Sequence, residues 1–327
     1  MNDFNLLIYF VILNLIIIIF FTKLKHIISV KDYPNKRKLH AKPIPLLGGP
    51  ILLINLSFYA LLTHLEVINF DFEINAKLFY LYCLIIFVLG IVDDIFSINP
   101  NIKLTGFIII FFSYCFLDNS ILIQEISLSF RPSNIYLGNY SYFFTVICFL
   151  AFINAFNMFD GINLQSTSYS IFLTLYLLYS SYNSFFFLLI VFLIFFSILN
   201  FKNKSFLGNS GSYLLPFIFS VIFIHNHNFQ NYNADLIFVL MSIPGFELLR
   251  LTIYRISRGK HPFYPDRNHI HHLMMLKYSN FSAVLFLNLL IYLQLILYNI
   301  FRQSIFSIFL GLLVYIGIIF FLIKKNK

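Results

Sequence analysis

Fifteen residues, Arg258 to His272, hold four histidines (His261, His269, His271, His272), three fixed cations (Arg258, Lys260, Arg267), one carboxylate (Asp266) and two prolines. Pro262 and Pro265 are three apart. A regular helix interior does not tolerate that, so the stretch reads as a loop. Imidazole and guanidinium both donate to phosphoryl oxygens, so the loop suits an anion. Zinc is the alternative, but it favours a closed set of three or four ligands, often with Cys or Glu, and the chain has no His-Glu-x-x-His pattern.

Other polar groups interrupt the apolar runs. Leu89-Gly-Ile-Val-Asp-Asp94 ends one run on adjacent carboxylates. Asp93 and Asp94 repel each other and pay a desolvation cost at a membrane boundary. A bound Mg²⁺ relieves both, because it takes one or two carboxylates and bridges to substrate phosphates. A solvated helix end is the plainer reading. Asn154, Asn157, Asp160 and Asn163 recur every three residues and share one stripe for as long as a helix persists. They suit sugar hydroxyls, uracil edges or a metal; a polar seam between packed helices is the alternative. Phe206-Leu-Gly-Asn-Ser-Gly-Ser212 opens a run and offers backbone amides to an anion. Arg37, Lys38, His40 and Lys42 precede Pro43, Pro45 and Gly48-Gly49. They suit an anion or simply cytoplasmic charge near anionic lipid.

Membrane helices must carry these groups. The chain has 327 residues, 60% hydrophobic and 11% charged, against about 25% charged in soluble domains. Apolar runs predict about eleven spans, at 4–22, 48–65, 77–92, 104–117, 141–157, 164–181, 183–200, 211–226, 233–251, 281–299 and 303–323. The first run lacks a basic leader and a small-residue cleavage site, and reads as a retained span. With the N-terminus outside and the C-terminus inside, 22 Lys and Arg fall on the cytoplasmic side except Lys77, Arg131 and Arg302, as the positive-inside rule requires. The same bias accounts for the +9 charge, so no nucleic acid is expected. Every chemical cluster then lies on the cytoplasmic face, at span ends. A transporter or channel would place ionisable or broken-helix features near the midplane. The outside segment 118–140 alternates through Ile126-Ser-Leu-Ser-Phe130, which predicts a short hairpin. His225 and His227 lie on that side, away from the chemistry. Cys83, Cys115 and Cys148 sit in apolar runs as inert core thiols. One multispanning domain, all-α, covers 1–327.

Taken in order, these stretches resemble the polyprenyl-phosphate N-acetylhexosamine-1-phosphate transferase family. They are Asp32…His40-Ala-Lys-Pro-Ile-Pro-Leu-Leu-Gly-Gly49, Gly90-Ile-Val-Asp-Asp94, Asn154…Asp160-Gly161, Phe206…Ser212 and Pro265-Asp-Arg-Asn-His-Ile-His-His272. The histidine frame looks like the branch that starts O-antigen, common-antigen and teichoic-acid linkage sugars. The peptidoglycan branch, which transfers phospho-MurNAc-pentapeptide, frames its histidines differently. Three positions depart from the family pattern: Asn209 and Asn163 stand where Asp is usual, and Pro244-Gly-Phe-Glu247 stands where Pro-x-x-Asp is common. Asn209 loses a charge at the metal, which also admits an inactive homologue.

The resemblance implies that a UDP-N-acetylhexosamine and polyprenyl phosphate give polyprenyl-diphosphate-sugar and UMP at the cytoplasmic face of a bacterial inner membrane. It implies Mg²⁺, or Mn²⁺, on Asp94 and Asn209. It makes Asp93, Asp94, Asp160 and His269 catalytic. It gives substrate binding to His40, Lys103, Asn154, Asn157, Asn163, Asn200, Arg267, His271 and His272. It also admits a homodimer.

Overall fold

A computed structural model describes residues 3–28, 30–34, 41–70, 72–229, 231–262, 266–301 and 303–324. His40 lies outside the described residues, as do Arg37, Lys38 and Pro265. The chain forms two compact units, each from two stretches: 1–99 with 166–217, and 100–165 with 218–327.

All eleven expected apolar segments are helical. In the first unit these are α1 (Asp3–Ile19) with α2 (Phe21–Ile27), α3 (Gly48–His64), α4 (Ala76–Phe96), α7 (Gln165–Ser180, apart from its first residue), α8 (Phe185–Phe201) and the first half of α9 (Gly208–Asn228). In the second are α5 (Pro100–Leu117), α6 (Ser141–Phe159), the rest of α9, α10 (Ala234–Leu240), α11 (Ser242–Ile256), α12 (Ile270–Met275), α13 (Asn280–Phe301) and α14 (Ser304–Lys324). The architecture is that of an all-α membrane protein.

Among the described residues, five helices are long and apolar enough to cross a bilayer, or seven if each bent pair is one span. α3 and α8 are apolar helices of 17 residues each, at the short end of the roughly 17–25 residues that cross a bilayer. The segment expected as one span over 233–251 is α10 and α11, bent by 78°. Pro244 explains this break. A proline ring clashes with the carbonyl four residues back and donates no hydrogen bond, so a helix cannot run from Leu240 through Pro244. Placed in the first turn of α11, Pro244 lacks only an amide that would be unpaired there anyway.

In the first unit α1 packs on α3 and α8, and α3 also touches α4 and α8. Asn14 and Asn55 are buried across the α1–α3 contact and exchange amide hydrogen bonds of 2.7 and 3.2 Å. A two-residue pairing, β1 (Lys31–Asp32) with β2 (Ile44–Pro45), precedes α3. The chain at Phe206 then joins this edge, donating to Pro45 O at 3.0 Å, and Gly48 N and Gly49 N donate to Phe206 O and Leu207 O at 3.1 Å.

In the second unit α6 packs on α5 and α11, and α13 on α14. The expected hairpin is present as β3 (Glu125–Leu128) against β4 (Arg131–Tyr136). His227 and Asp235 anchor it. His227 Nε2 lies 3.0 Å from Glu125 O, and Asp235 Oδ1 accepts the Ser129 amide at 2.8 Å.

Candidate active site

The first unit holds the paired carboxylates. Asp93 and Asp94 are neighbours on the last turn of α4, yet they have different partners. α4 ends at Ser97 in the left-handed region (φ 51°), and that turn brings Ile98 N back to Asp93 Oδ1 at 2.8 Å. Asp93 Oδ2 accepts the Tyr213 hydroxyl at 2.6 Å, and Asp93 is buried. Half-buried Asp94 faces the N-terminus of α9. Its Oδ1 accepts Asn209 N at 2.8 Å and its Oδ2 accepts Ser210 N at 3.2 Å. First-turn amides have no partner inside their own helix, so a side chain from another helix acts here as the cap. Gly90, one turn earlier, permits the approach. A Cβ there would stand 2.6 Å from Ser210 N.

The donors near Asp94 are oxygens of the kind Mg²⁺ prefers. Each carboxylate oxygen retains acceptor capacity beyond one amide, and Asn209 is half-buried at the same helix start. The α9 amides compete with a cation for Asp94. The set therefore suits a cation that keeps open coordination positions rather than one held in a closed protein cage. Among the described residues no group of three or more His, Cys, Asp or Glu is arranged to hold a metal, which also leaves the zinc reading of the histidines without support. Asn200 is buried, and its Nδ2 donates to Ser205 O at 3.1 Å, closing the α8–α9 turn.

The second unit holds the histidines. His269 is the N-cap residue of α12, a six-residue helix too short for its periodicity to show in the sequence. The rings of His269, His271 and His272 lie 4.4 to 6.0 Å apart. Burial lowers His269 to about 4, with Arg255 adding to the effect and Glu247 opposing it. Burial also lowers His271 and His272. The cluster is thus uncharged near neutral pH. His271 is 2% exposed and rests on Gly161, where an added Cβ would collide with its ring. Arg267 is exposed.

A buried network supports this loop. Glu247 on α11 is fully buried. Its Oε1 accepts Ile270 N at 2.8 Å and Arg250 Nη2 at 2.9 Å, and its Oε2 accepts the Tyr315 hydroxyl of α14. Arg250 Nη2 also reaches Asn268 O at 2.6 Å. Arg255 holds the loop from another side, donating through Nε to Asp266 Oδ2 at 2.8 Å and through Nη1 to Pro262 O at 2.7 Å. Burial pushes Asp266 up, but Arg255 and the Asn268 amide hold it below the usual carboxylate value. The sequence marked Glu247 only as a departure from Asp. Arg250, Arg255 and Tyr315 carried no signal beyond being polar groups in apolar helices.

The asparagine row is shorter than expected. Asn154 and Asn157 lie on α6, but the helix ends at Phe159 and Asp160 is its C-cap. Asn163 falls in the following turn, where its carbonyl accepts Asn280 Nδ2 at 3.3 Å. Asn154 Nδ2 returns to Leu150 O at 2.7 Å. Lys103 is half-buried in the first turn of α5.

Residues 77–227 match the family model of glycosyl transferase family 4. Over 267 residues the chain is 30% identical to the undecaprenyl-phosphate alpha-N-acetylglucosaminyl 1-phosphate transferase of Yersinia pestis, covering 76% of this chain and 70% of that one. The protein of the same name from Escherichia coli K12 is 29% identical over 76% of this chain and 70% of its own. That from Thermotoga maritima is 27% identical over 78% and 76%. The paired carboxylates and the asparagine row fall inside the matched region. The chain therefore belongs to glycosyl transferase family 4, among the polyprenyl-phosphate sugar-1-phosphate transferases that its motifs resemble.

Proposed function

We propose that this protein transfers N-acetylhexosamine-1-phosphate from a UDP-sugar to undecaprenyl phosphate and releases UMP. The reaction takes place at the cytoplasmic face of a bacterial inner membrane and opens the synthesis of an envelope polysaccharide such as O-antigen. The observation that carries the reading is the pair Asp93–Asp94 inside the family-matched region, with each carboxylate held by different partners.

A lipid phosphate oxygen attacks the β-phosphorus of the nucleotide sugar, and UMP leaves. Three phosphates must meet, so offsetting their charge is the main task. Mg²⁺, or Mn²⁺ on the same oxygens, would be held by Asp94 and the Asn209 carbonyl and would supply that neutralisation when bound. A phosphate monoester is already largely ionised at pH 7, with its second pKa at about 6. Asp93, fixed by Ile98 N and Tyr213, therefore orients the incoming phosphate more than it deprotonates it. Half-buried His272 offers a neutral N–H donor and exposed Arg267 adds a cation, with buried His271 backing them; the binding role expected for His271 would need the loop to move. Asn154, Asn157, Asp160, Asn163 and Lys103 contact uridine, sugar or diphosphate.

UMP release by purified protein, given undecaprenyl phosphate, Mg²⁺ and a panel of UDP-sugars singly, tests the reading. Lipid-dependent release with one sugar, lost in Asp93→Asn, is the expected result. One phosphoanhydride replaces another, so added UMP should drive the reverse reaction. A folded wild-type protein that releases no UMP with any sugar would overturn the proposal.

A further inference from the structure

Glu247 is fully buried on α11 and touches three things that bear on the histidine loop. It accepts the amide of Ile270, the first residue of α12, at 2.8 Å. It pairs with Arg250, whose same Nη2 holds Asn268 O at 2.6 Å. It accepts the hydroxyl of Tyr315 from α14, which also accepts Arg250 Nε at 2.9 Å. The backbone is thus gripped on both sides of His269, at Asn268 and at Ile270. His269 Nδ1 lies 3.7 Å from Glu247 Oε1, and its Nε2 lies 3.3 Å from Arg255 Nη2. Arginine can only donate, so Nε2 faces it as the acceptor, while the 3.7 Å between Nδ1 and Glu247 is too long for a hydrogen bond. His269 is thus held through Nε2 and through its flanking backbone, and His271 and His272 follow it on the same short helix.

We propose that Glu247, braced by Arg250 and Tyr315, is the positioning residue of the histidine loop, fixing the backbone on either side of His269 and the start of α12 so that His271 packs on Gly161 and His272 presents its donor to phosphate. The assignment of phosphate as ligand rests on the transferase reading; the positioning role does not. Glu247 and Tyr315 are 68 residues apart, so α14 takes part in shaping a loop that ends well before that helix begins at Ser304. Buried charged networks are costly to break from one side, and they hold geometry at sites where small displacements cost about 100-fold in rate.

The test uses full-length protein in lipid nanodiscs and the variants Glu247→Gln and Tyr315→Phe. The first readout is carbethoxylation of His271 by diethyl pyrocarbonate, followed by peptide mass spectrometry. His271 is buried in the wild type, and labelling should rise roughly tenfold in both variants as the loop opens more often. The second readout is UMP release, where kcat should fall by roughly 10- to 100-fold with a smaller change in KM for the UDP-sugar. Tyr315→Phe removes one hydroxyl and keeps the ring, so it stands in if Glu247→Gln does not fold. Folded variants that label His271 at the wild-type rate would overturn the positioning role. Raised labelling in the variants beside a wild type that releases no UMP would uphold it and overturn the transferase reading instead.

Discussion

The imidazole of His271 occupies the space that a side chain on residue 161 would need. Gly161 follows the end of α6, two residues after Phe159, and His271 is buried on α12. Gly161→Ala therefore puts a methyl into a packed ring, and overpacking of this kind costs about 1–3 kcal/mol. The expected outcome is a lower melting temperature in detergent and a drop in UMP release of tenfold or more, roughly the effect of displacing a donor by 1.4 kcal/mol. Unchanged melting and rate would mean that the turn relaxes freely and the contact does not matter.

Tyr213 and Asp93 offer a graded series. Asp93→Asn should abolish transfer. Tyr213→Phe leaves the Asp93 carboxylate and its bond to Ile98 N but removes the 2.6 Å phenol donor. A hydrogen bond to a charged group contributes about 1.5–3 kcal/mol, so kcat should fall roughly 10- to 100-fold. If Tyr213→Phe matched the wild type, the fixed orientation of Asp93 would not be what catalysis uses.

Asn209→Asp restores a second carboxylate at the start of α9. Since added negative charge favours a helix N-terminus and hard divalent cations, half-saturation should come at lower Mg²⁺ in activity titrations. An unchanged Mg²⁺ dependence would place the metal on other ligands.

The histidine loop sets a pH dependence of stability. Burial holds His269 at about 4 against an ordinary 6.5, and His271 and His272 shift the same way. Above pH 6.5 neither folded nor unfolded protein binds these protons, and the term is absent. As pH falls below 6.5 the unfolded chain takes them up and the folded one does not, so stability is lost between about 6.5 and 4, on the order of 3 kcal/mol from His269. Thermal melts across that range should fall steeply in the wild type and less so in His269→Gln. Parallel curves would show that His269 is not held neutral.

Asn14 and Asn55 test the packing of the first unit. Asn55→Leu leaves the buried Asn14 amide short of a partner, and an unsatisfied polar group costs about 1–3 kcal/mol. The double variant Asn14→Leu, Asn55→Leu should recover part of that loss in a thermal-shift assay. If the two changes simply added, the pair would not be coupled.

Hydropathy made the helical segments legible, because each apolar run is long enough to stand out, and alternation did the same for the β3–β4 hairpin. The chemical clusters were legible as well, since polar groups are rare among so many Phe, Ile and Leu. What the residues did not show was pairing at a distance. Asp94 meets the amides of α9 across 115 residues, and nothing in Asp94 names its partner. Tyr315 sits in an apolar run and reads as a packing residue until Glu247 is beside it. The bend before α11 was written in Pro244 but was outweighed by continuous apolarity over 233–251. The asparagine stripe failed after Asn157 for a related reason: periodicity assumes a helix and does not say where it stops.

The interleaving of the two units has a consequence for biosynthesis. The first unit closes when residue 217 has been made, while α5 and α6 must wait for 218–327. α6 meets α11, a principal partner within its unit, only after residues 242–256 have emerged. A ribosome paused between 217 and 242 would therefore leave the first unit complete in sequence and the second without the helix that α6 packs on, a state on which chaperones and proteases can act.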